Sequence, residues 1–333
     1  MKSRYKNAFL VFGLVVLAVM VSQLDFAEVW RGLQRAGYWF PAILVLWALL
    51  YLLNTASWLT IIRSQQGDSR NVRFAWLYKL TVSGFALNYA TPGGLMGGEP
   101  YRIMELAPRI GTERASSSVI LYAMTHIFSH LCFWLLSVVL FVALYPVDLP
   151  MAIMLAAVTA GCGLGIWFFL SGYRRGLANR LMALLRHIPL LKSRVGRFVE
   201  THKTQLDAID MQITALHGQR PASFILAVSL ELACRILSAL EIYFILLVLT
   251  PSVSYGACIL ILALTSLLAN LLFFMPLQLG GREGGFLLST TGLGMTANAA
   301  IFVALLVRLR ELVWTGIGLM LIKVAEGRKN SYK

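Results

Sequence analysis

Long apolar segments recur along this chain, and they restrict its possible folds more than any other feature. The segments at residues 8–22, 39–62 and 301–322 approach or exceed the ~20 residues that a helix needs to cross the hydrocarbon of a bilayer. Charged residues make up 13% of the sequence, compared with roughly 25% in ordinary globular domains. A soluble domain is therefore excluded. We predict an all-α fold, a polytopic membrane helix bundle.

The amino terminus imitates a signal peptide, because Lys2, Arg4 and Lys6 precede an apolar core. No small-x-small cleavage pattern follows that core, so we predict that the segment is retained as the first membrane helix. The four cysteines all lie inside apolar segments without CxxC spacing, at Cys132, Cys162, Cys234 and Cys258. This placement favours packing residues over a disulfide framework or a zinc site.

Basic residues are distributed unevenly between the apolar segments, and short cytoplasmic loops are the ones enriched in Lys and Arg. The net positive stretches are residues 1–6, 62–73, 172–220 and 323–333. The other connections, 23–38, 145–149 and 250–254, carry no net positive charge. We therefore predict a multi-pass protein with both termini in the cytoplasm. Six full crossings fit this pattern, near residues 8–24, 39–61, 115–144, 150–171, 222–249 and 298–322.

Two apolar segments, about 74–113 and 255–297, remain after the crossings are placed. Each must return to the side from which it entered if the flanking charges are assigned correctly. Each also has a proline and a glycine cluster at its middle, where a pair of half-helices would turn. Irregular backbone at this depth is tolerated only when it is buried in protein or lines a wet cavity. We predict two re-entrant helical hairpins within a single integral membrane domain, 1–333.

The two predicted hairpins share a motif, "TPGGLMGGEPYR" in the first and "MPLQLGGREGGF" in the second. Pro92 precedes Glu99 by 99 − 92 = 7 residues, and Pro276 precedes Glu283 by 283 − 276 = 7. An asparagine, a glycine pair and a later glycine follow the same order: Asn88, Gly97, Gly98 and Gly111, then Asn270, Gly280, Gly281 and Gly294. Three full crossings separate the hairpins, so they enter from opposite faces. The order predicts an inverted repeat, as in many transporters.

A half-helix that begins inside a membrane presents unpaired N–H groups and the positive end of its dipole, which suit an anionic group. Arg102 and Arg282 add full charges, while Glu99 and Glu283 pair with them, exchange protons or repel the anion during release. Alternatively, the glycines only permit close helix packing and the glutamates only meet a helix dipole. The predicted binding and translocation residues are Asn88, Pro92, Gly93, Gly94, Gly97, Gly98, Glu99, Arg102, Pro276, Gly280, Gly281, Arg282 and Glu283.

Three predicted spans carry polar stripes, and an ionisable group inside a membrane needs a partner or a wet cavity. Glu231 and Arg235 have the i,i+4 spacing of a helical ion pair, which leaves a purely structural role open. Arg310 lies off the face that Arg308 and Glu311 share. The two stripe histidines lack a third ligand with zinc spacing, so no metal is predicted. The predicted gating or coupling residues are His126, His130, Glu231, Arg235, Glu241, Arg308 and Glu311.

The segment 172–220 differs from the rest, since leucines and isoleucines at helical spacing alternate with arginines. It fits amphipathic helices on an anionic lipid surface, or a solvated helix pair. The net charge of the chain is +14, but its distribution follows the positive-inside pattern. Nucleic acid is therefore not a predicted partner.

The segments "NYATPGGLMGGEPYRI" and "MPLQLGGREGGFLL" resemble the paired signatures of the lysylphosphatidylglycerol synthase transmembrane-region family, the flippase-like domain proteins. The resemblance covers nearly the whole chain. It implies translocation of an anionic phospholipid or lipid-linked envelope precursor across the cytoplasmic membrane, with membrane lipids and envelope-biosynthesis enzymes as partners. Only eleven residues follow Ile322, so we expect no soluble aminoacyl-transferase domain here.

Other function classes remain open beside lipid translocation: an accessory subunit or integral enzyme of envelope biosynthesis, and a small-solute secondary transporter. An enzyme needs a nucleophile or metal cluster at a water interface. The sequence shows no HExxH motif, no Walker loop and no recognisable Ser-His-Asp order. We therefore predict a protein that is not an enzyme and needs no cofactor.

Overall fold

The computed structural model describes residues 26–65, 71–90, 97–173, 221–249, 252–271 and 281–330, together with positions 15 and 69. These residues form helices and no strands, which confirms the all-α prediction for the described part. The ten helices are α1 (Phe26–Ala36), α2 (Trp39–Ser64), α3 (Phe74–Ala90), α4 (Gly98–Ile110), α5 (Thr112–Leu144), α6 (Leu149–Tyr173), α7 (Pro221–Leu247), α8 (Tyr255–Leu271), α9 (Gly281–Gly292) and α10 (Ala297–Asn330).

Four of the described helices are long and apolar enough to cross a membrane: Trp39–Ser64, Thr112–Leu144, Leu149–Leu170 and Ala222–Leu247. They coincide with four of the predicted crossings. Helix α10 has 34 residues and covers the crossing predicted at 298–322, but its charges at Arg308, Arg310 and Glu311 set it apart from the apolar helices. The crossing predicted at 8–24 lies outside the described residues. The described helices define a multi-pass membrane protein.

Two pairs of shorter helices lie among the long ones, at the places where the sequence predicts hairpins. Helix α3 has 17 residues and α4 has 13, while α8 has 17 and α9 has 12. Each is shorter than the ~20 residues of a full crossing. The helices within each pair pack against each other. We call α3 with α4 the first helix pair, and α8 with α9 the second helix pair.

The long helices surround the two pairs. Helices α2 and α7 pack together, α3 packs on α2 and α10, and α4 packs on α5. In the other half, α8 packs on α7 and α5, and α9 packs on α10. Helix α6 packs on α5, and α1 packs on α10 and α2. The first helix pair lies in an apolar core that includes Trp58 and Leu106, and the second lies in another that includes Ile261 and Val303.

Glycines with positive φ follow α4 and α9, the second helix of each pair. Gly111 has φ 88° between α4 and α5, and Gly294 has φ 81° between α9 and α10. The Gly111 N–H donates to the Ala107 carbonyl at 2.9 Å, and the Gly294 N–H donates to Thr291 at 2.9 Å. Side chains disfavour such φ values, so glycine is required at both turns. In the repeat pattern, Gly111 follows Glu99 and Gly294 follows Glu283.

Glycines also bring the helices of each pair into backbone contact. A β-carbon at Gly98 would lie 2.2 Å from the Gly84 carbonyl oxygen and 2.5 Å from Asn88 Oδ1. A β-carbon at Gly285 would lie 3.0 Å from Thr265 Cα. The packing role left open for the motif glycines is therefore real at Gly98.

The amphipathic prediction for 172–220 falls almost wholly outside the described residues.

Candidate membrane-embedded ionic site

Charged side chains in the bundle interior form three groups, and helices α5, α7 and α10 contribute to them. The Arg102 cluster consists of Asn88, Glu99 and Arg102 with the rings of Trp58, Phe85 and Tyr122. The Glu311 cluster consists of Arg282, Glu283, Arg308, Arg310, Glu311 and Glu241. The His126 pair consists of His126 and Glu231. Charge at this depth needs such partners because the surrounding hydrocarbon offers none.

The Arg102 cluster forms where α4 begins against the end of α3. Asn88 is a bridge, since its Oδ1 accepts from the Gly98 N–H at 2.7 Å and its Nδ2 donates to Glu99 Oε1 at 2.9 Å. Arg102 donates to the same Glu99 oxygen at 3.4 Å and to the Thr81 carbonyl at 3.3 Å. The predicted pairing of Glu99 with Arg102 is therefore confirmed. A backbone donor at the start of α4 is satisfied by a side chain of α3.

Three aromatic rings enclose the Arg102 guanidinium. Its carbon lies 4.8 Å from the ring centroid of Phe85 and 5.5 Å from those of Trp58 and Tyr122, within the range of cation–π attraction. Arg102 is only 2% exposed. A β-carbon at Gly84 would lie 2.2 Å from Arg102 Nε, so glycine at position 84 makes the space that the guanidinium fills.

Several polar atoms of the Arg102 cluster have no hydrogen-bond partner among the described residues. They are Glu99 Oε2, Arg102 Nε, Trp58 Nε1 and Tyr122 OH, and all are buried. An unpaired buried polar atom costs on the order of 1–3 kcal/mol. The cluster therefore holds buried donors and a carboxylate oxygen that have no hydrogen-bond partner among the described residues, close to a buried cation.

The Glu311 cluster joins α9 to α10. Arg282 donates to Glu311, and Arg308 donates to Glu283 at 2.9 Å. Glu283 therefore pairs with an arginine of α10 rather than with its neighbour Arg282. The α9 side chains are partly exposed, Arg282 by 27% and Glu283 by 41%. These ion pairs connect two helices instead of closing within one.

Arg310 anchors the same cluster to α7. Its Nε and Nη2 donate to the two oxygens of Glu241 at 2.8 and 3.0 Å, a bidentate pair. The Trp47 indole donates to Glu241 at 2.9 Å, and its ring lies 3.8 Å from the Arg310 guanidinium carbon. Although Arg310 lies off the face that Arg308 and Glu311 share, its Nη1 lies 3.7 Å from the Glu311 carboxylate. The arginine is long enough to reach both acids from its own face.

A small cleft opens beside the Glu311 cluster. Its charged lining consists of Arg282, Glu283, Arg308 and Glu311. Tyr89 enters the same cleft from the end of α3. The first helix pair therefore contributes a hydroxyl-bearing ring to the site formed by the second pair.

The His126 pair links α5 to α7. His126 Nδ1 lies 2.9 Å from Glu231 Oε2. The Asn54 amide of α2, oriented with its nitrogen toward this carboxylate, donates to both oxygens at 3.0 and 3.1 Å. Arg235 instead donates to Ser129 Oγ at 2.8 Å and to the His126 carbonyl at 3.1 Å. The i,i+4 pair of Glu231 with Arg235 does not form, because both side chains extend to α5.

The structure brings most of the described candidate residues together. Asn88, Gly98, Glu99 and Arg102 meet at the start of α4, and Gly281, Arg282 and Glu283 open α9. Gly97 directly precedes α4. His130 follows His126 on α5, with ring centroids 5.4 Å apart. The candidates Pro92, Gly93, Gly94, Pro276 and Gly280 lie outside the described residues.

The sequence did not point to five of the residues that complete these groups: Trp47, Asn54, Trp58, Phe85 and Tyr89. Most of them are aromatic residues in apolar helices, where nothing in the periodicity separates a ring over a guanidinium from a packing ring. Asn54 offered a signal, because a lone amide inside an apolar helix needs a partner. Among the described residues, no three His, Cys, Asp or Glu side chains lie close enough to hold a metal ion.

Apolar crossings with paired charges in their interior define the class of an integral, multi-pass membrane protein. The chain belongs to the family described as the lysylphosphatidylglycerol synthase TM region, whose model matches residues 8–318. Membership confirms the resemblance and connects the protein to lipid or envelope biology. No curated protein and no solved structure matches the chain.

Proposed function

We propose that the protein translocates a lipid with an anionic, phosphate-containing headgroup across the cytoplasmic membrane. The observation that carries the proposal is the cleft at the start of α9, where Arg282 and Arg308 are both partly exposed inside a bundle of membrane helices. Phosphate oxygens suit such arginines, since guanidinium groups donate in a fork. Family membership supports a lipid as the source of the phosphate.

The two helix pairs are re-entrant hairpins of an inverted repeat in this proposal. Helix packing supports the repeat, because contacts of α3 with α2 and α10 have counterparts in contacts of α8 with α7 and α5. Contacts of α4 with α5 likewise match those of α9 with α10. The positive-φ turns at Gly111 and Gly294 occupy equivalent places. With both termini in the cytoplasm, the first hairpin enters from the cytoplasmic face and the second from the opposite face.

Headgroup binding at the Glu311 cluster is an exchange of anions. The cluster has three arginines, Arg282, Arg308 and Arg310, and three glutamates, Glu241, Glu283 and Glu311, so 3 − 3 = 0 leaves no excess positive charge. A phosphate therefore replaces a carboxylate. Glu283 is the one it replaces, because it is the most exposed of the three. Its departure frees Arg308, which then holds the phosphate together with Arg282.

The start of α9 supplies a second attraction. Gly281 and Arg282 open this helix, and the first N–H groups of a helix have no partner within it. Those groups and the helix dipole favour a negative charge. Glu283 provides that charge in the structure, and in the proposal a phosphate takes its place.

The test is lipid exchange in proteoliposomes that contain headgroup-labelled phosphatidylglycerol or phosphatidylethanolamine, with a membrane-impermeant quencher outside. Wild-type protein is expected to expose the anionic lipid faster than protein-free vesicles do. Arg308→Gln is expected to slow this exchange at least tenfold, because a lost charged contact to phosphate is worth about 1.5–3 kcal/mol. Arg31→Gln is the matched control, since Arg31 is exposed on α1 and, within the described part of the chain, its guanidinium donates to its own helix, at Ala27.

Folding of each variant is checked by size-exclusion chromatography before reconstitution. Equal exchange by wild-type protein and by protein-free vesicles contradicts the proposal for these lipids. Equal exchange by Arg308→Gln and wild-type protein removes the cleft from the translocation path.

A further inference from the structure

One interior carboxylate differs from all the others in its partner. Glu99, Glu241, Glu283 and Glu311 each lie within 4.0 Å of an arginine, namely Arg102, Arg310, Arg308 and Arg282 in that order. Glu231, which is 1% exposed, has His126 as its basic partner. Arginine stays charged at every physiological pH, whereas histidine changes charge between about pH 5 and 8. The described bundle therefore contains one ion pair whose charge is adjustable.

The hydrogen bonds of this pair suit a neutral imidazole beside a carboxylate. Asn54 donates to both oxygens of Glu231, and both oxygens of a carboxylate accept. The tautomer of His126 that suits the 2.9 Å contact with such a carboxylate carries its hydrogen on Nδ1. Nε2 of the same ring keeps a lone pair. The His126 side chain is 34% exposed, so its ring is not sealed within the bundle.

The surroundings of His126 make its charge matter for the Arg102 cluster. The imidazole centroid lies 6.1 Å from the Phe85 ring and 6.4 Å from the Tyr122 ring, and both rings also enclose the Arg102 guanidinium. A second positive charge at His126 repels Arg102 across this shared aromatic layer. Protonation of His126 therefore weakens the binding of Arg102 within its three-ring enclosure.

The groups that face His126 come from several helices. Tyr122 and His130 lie on its own helix, and α6 and α8, which also pack on α5, contain no Asp, Glu, Lys, Arg or His. The remaining neighbours are Glu231, Cys234 and Arg235 from α7, Arg102 from α4, Asn54 from α2 and Phe85 from α3. Glu231 and Glu99, the partner of Arg102, balance the two arginines, since 2 − 2 = 0. An added proton is therefore an uncompensated charge, which an anionic headgroup nearby favours.

We propose that the His126 pair is a proton-binding site, and that the proton crosses the membrane together with the anionic lipid. The proton binds to Nε2 of His126, the imidazole becomes an imidazolium that keeps its Nδ1–H bond to Glu231, and the proton leaves from Nε2 on the other side. One proton offsets one headgroup charge, so the transferred pair is neutral and avoids the cost of a lone anion in hydrocarbon. The proposal rests on the translocation function proposed above.

The proton site is tested first without lipid transport. Protein labelled with ¹⁵N-histidine is titrated in lipid bilayers by NMR from pH 5 to 8, and wild type is compared with His126→Gln. We expect that one of the titrating histidine resonances of the wild type is missing in His126→Gln. Absence of any titrating resonance that depends on His126 overturns the proton site, whatever the protein does to lipids.

Coupling is tested with an imposed pH gradient in the same proteoliposomes. A gradient of one unit drives at most about a tenfold excess of anionic lipid in one leaflet, because one unit is a factor of ten in proton activity. We expect this excess for wild type and Arg31→Gln, and equal leaflets for His126→Gln and Glu231→Gln. Arg31 is the control because its side chain is exposed on α1 and, among the described residues, its guanidinium donates to its own helix, at Ala27.

The outcomes separate the two proposals. Lipid exchange that is fast but equal between leaflets overturns proton coupling and leaves translocation standing. A leaflet excess that persists in His126→Gln also overturns the assignment. If wild-type protein moves no lipid while His126 still titrates, the translocation function and its coupling fail and the proton site alone remains.

Discussion

The two helix pairs carry similar motifs but hold their charges differently. In the first pair, Arg102 turns back onto Glu99 of its own helix and is enclosed by three rings, with 2% of its surface exposed. In the second pair, Arg282 and Glu283 reach across to α10 and line an open cleft. The position of the arginine explains the difference. Arg102 follows its glutamate by one helical turn, whereas Arg282 precedes its glutamate at the start of α9.

Under the proposed function, this difference indicates which contacts change during a transport cycle. Charges of the second pair depend on the distance between α9 and α10, so a shift of either helix breaks or remakes them. Charges of the first pair are local and need only a change of side-chain conformation. Under the proposed function, one hairpin is closed while the other is open, as expected of a carrier that exposes its site to one side at a time.

The largest expected effect concerns the anchor of the second pair. Arg310→Ala leaves Glu241 buried without its bidentate partner. We expect the free energy of unfolding to fall by about 3–5 kcal/mol, the range for a broken buried ion pair. Thermal unfolding in detergent measures this loss, and Arg31→Ala on the exposed face of α1 is the control. A loss no larger than that of the control would show that Arg310 is not a structural anchor.

A glycine comparison tests the enclosure of Arg102. Gly84→Ala places a β-carbon 2.2 Å from Arg102 Nε, whereas a β-carbon at Gly284 in the second pair meets nothing within 4 Å. We expect Gly84→Ala to destabilise the protein by about 1–3 kcal/mol, as overpacking does. Gly284→Ala is expected to be neutral or to stabilise α9 by up to about 1 kcal/mol. Similar effects of the two substitutions on thermal unfolding contradict the difference between the pairs.

The turns at Gly111 and Gly294 are expected to respond alike to an alanine substitution. Gly111→Ala and Gly294→Ala each force a β-carbon into a positive-φ conformation with open space around it. Strain alone then sets the cost, about 1–2 kcal/mol for each. Double-mutant unfolding is expected to be additive, since distant sites act independently. A large effect at one glycine and none at the other argues against equivalent turns.

The smallest effect on stability belongs to the exposed ion pair of the second helix pair. Arg308 and Glu283 are 24% and 41% exposed, and such pairs contribute about 0–1 kcal/mol. We expect a double-mutant cycle of Arg308→Gln and Glu283→Gln to give a coupling energy in that range. A coupling well above it would mean that Glu283 is too tightly held to be replaced by a phosphate.

Much of the fold could be predicted from the sequence, because hydropathy and glycine placement are local signals. The crossings at α2, α5, α6 and α7 follow from apolar length, and the turn at Gly111 follows from the repeated motif. Partner choice could not be predicted in the same way. Glu283 selects Arg308 of α10 over the adjacent Arg282 because α9 and α10 pack together, and no local pattern encodes that distance.

The Arg102 cluster also has partners that local sequence patterns could not predict. The sequence identified the arginine and its glutamate three residues apart, and the pair forms as expected. The aromatic enclosure comes from α2, α3 and α5, which lie far apart in the chain. Only packing brings Trp58, Phe85 and Tyr122 to one guanidinium. Sequence periodicity treats all three as core residues.

Thiol labelling at the two motif glutamates is the most direct test of the proposal that the two hairpins enter the membrane from opposite faces. Cysteine replaces Glu99 or Glu283 in a background where the four native cysteines are changed to alanine, and a membrane-impermeant maleimide is applied to each face of the membrane. The account predicts slow labelling at position 99 from the cytoplasmic face and fast labelling at position 283 from the opposite face. Labelling of both positions from the same face would contradict it.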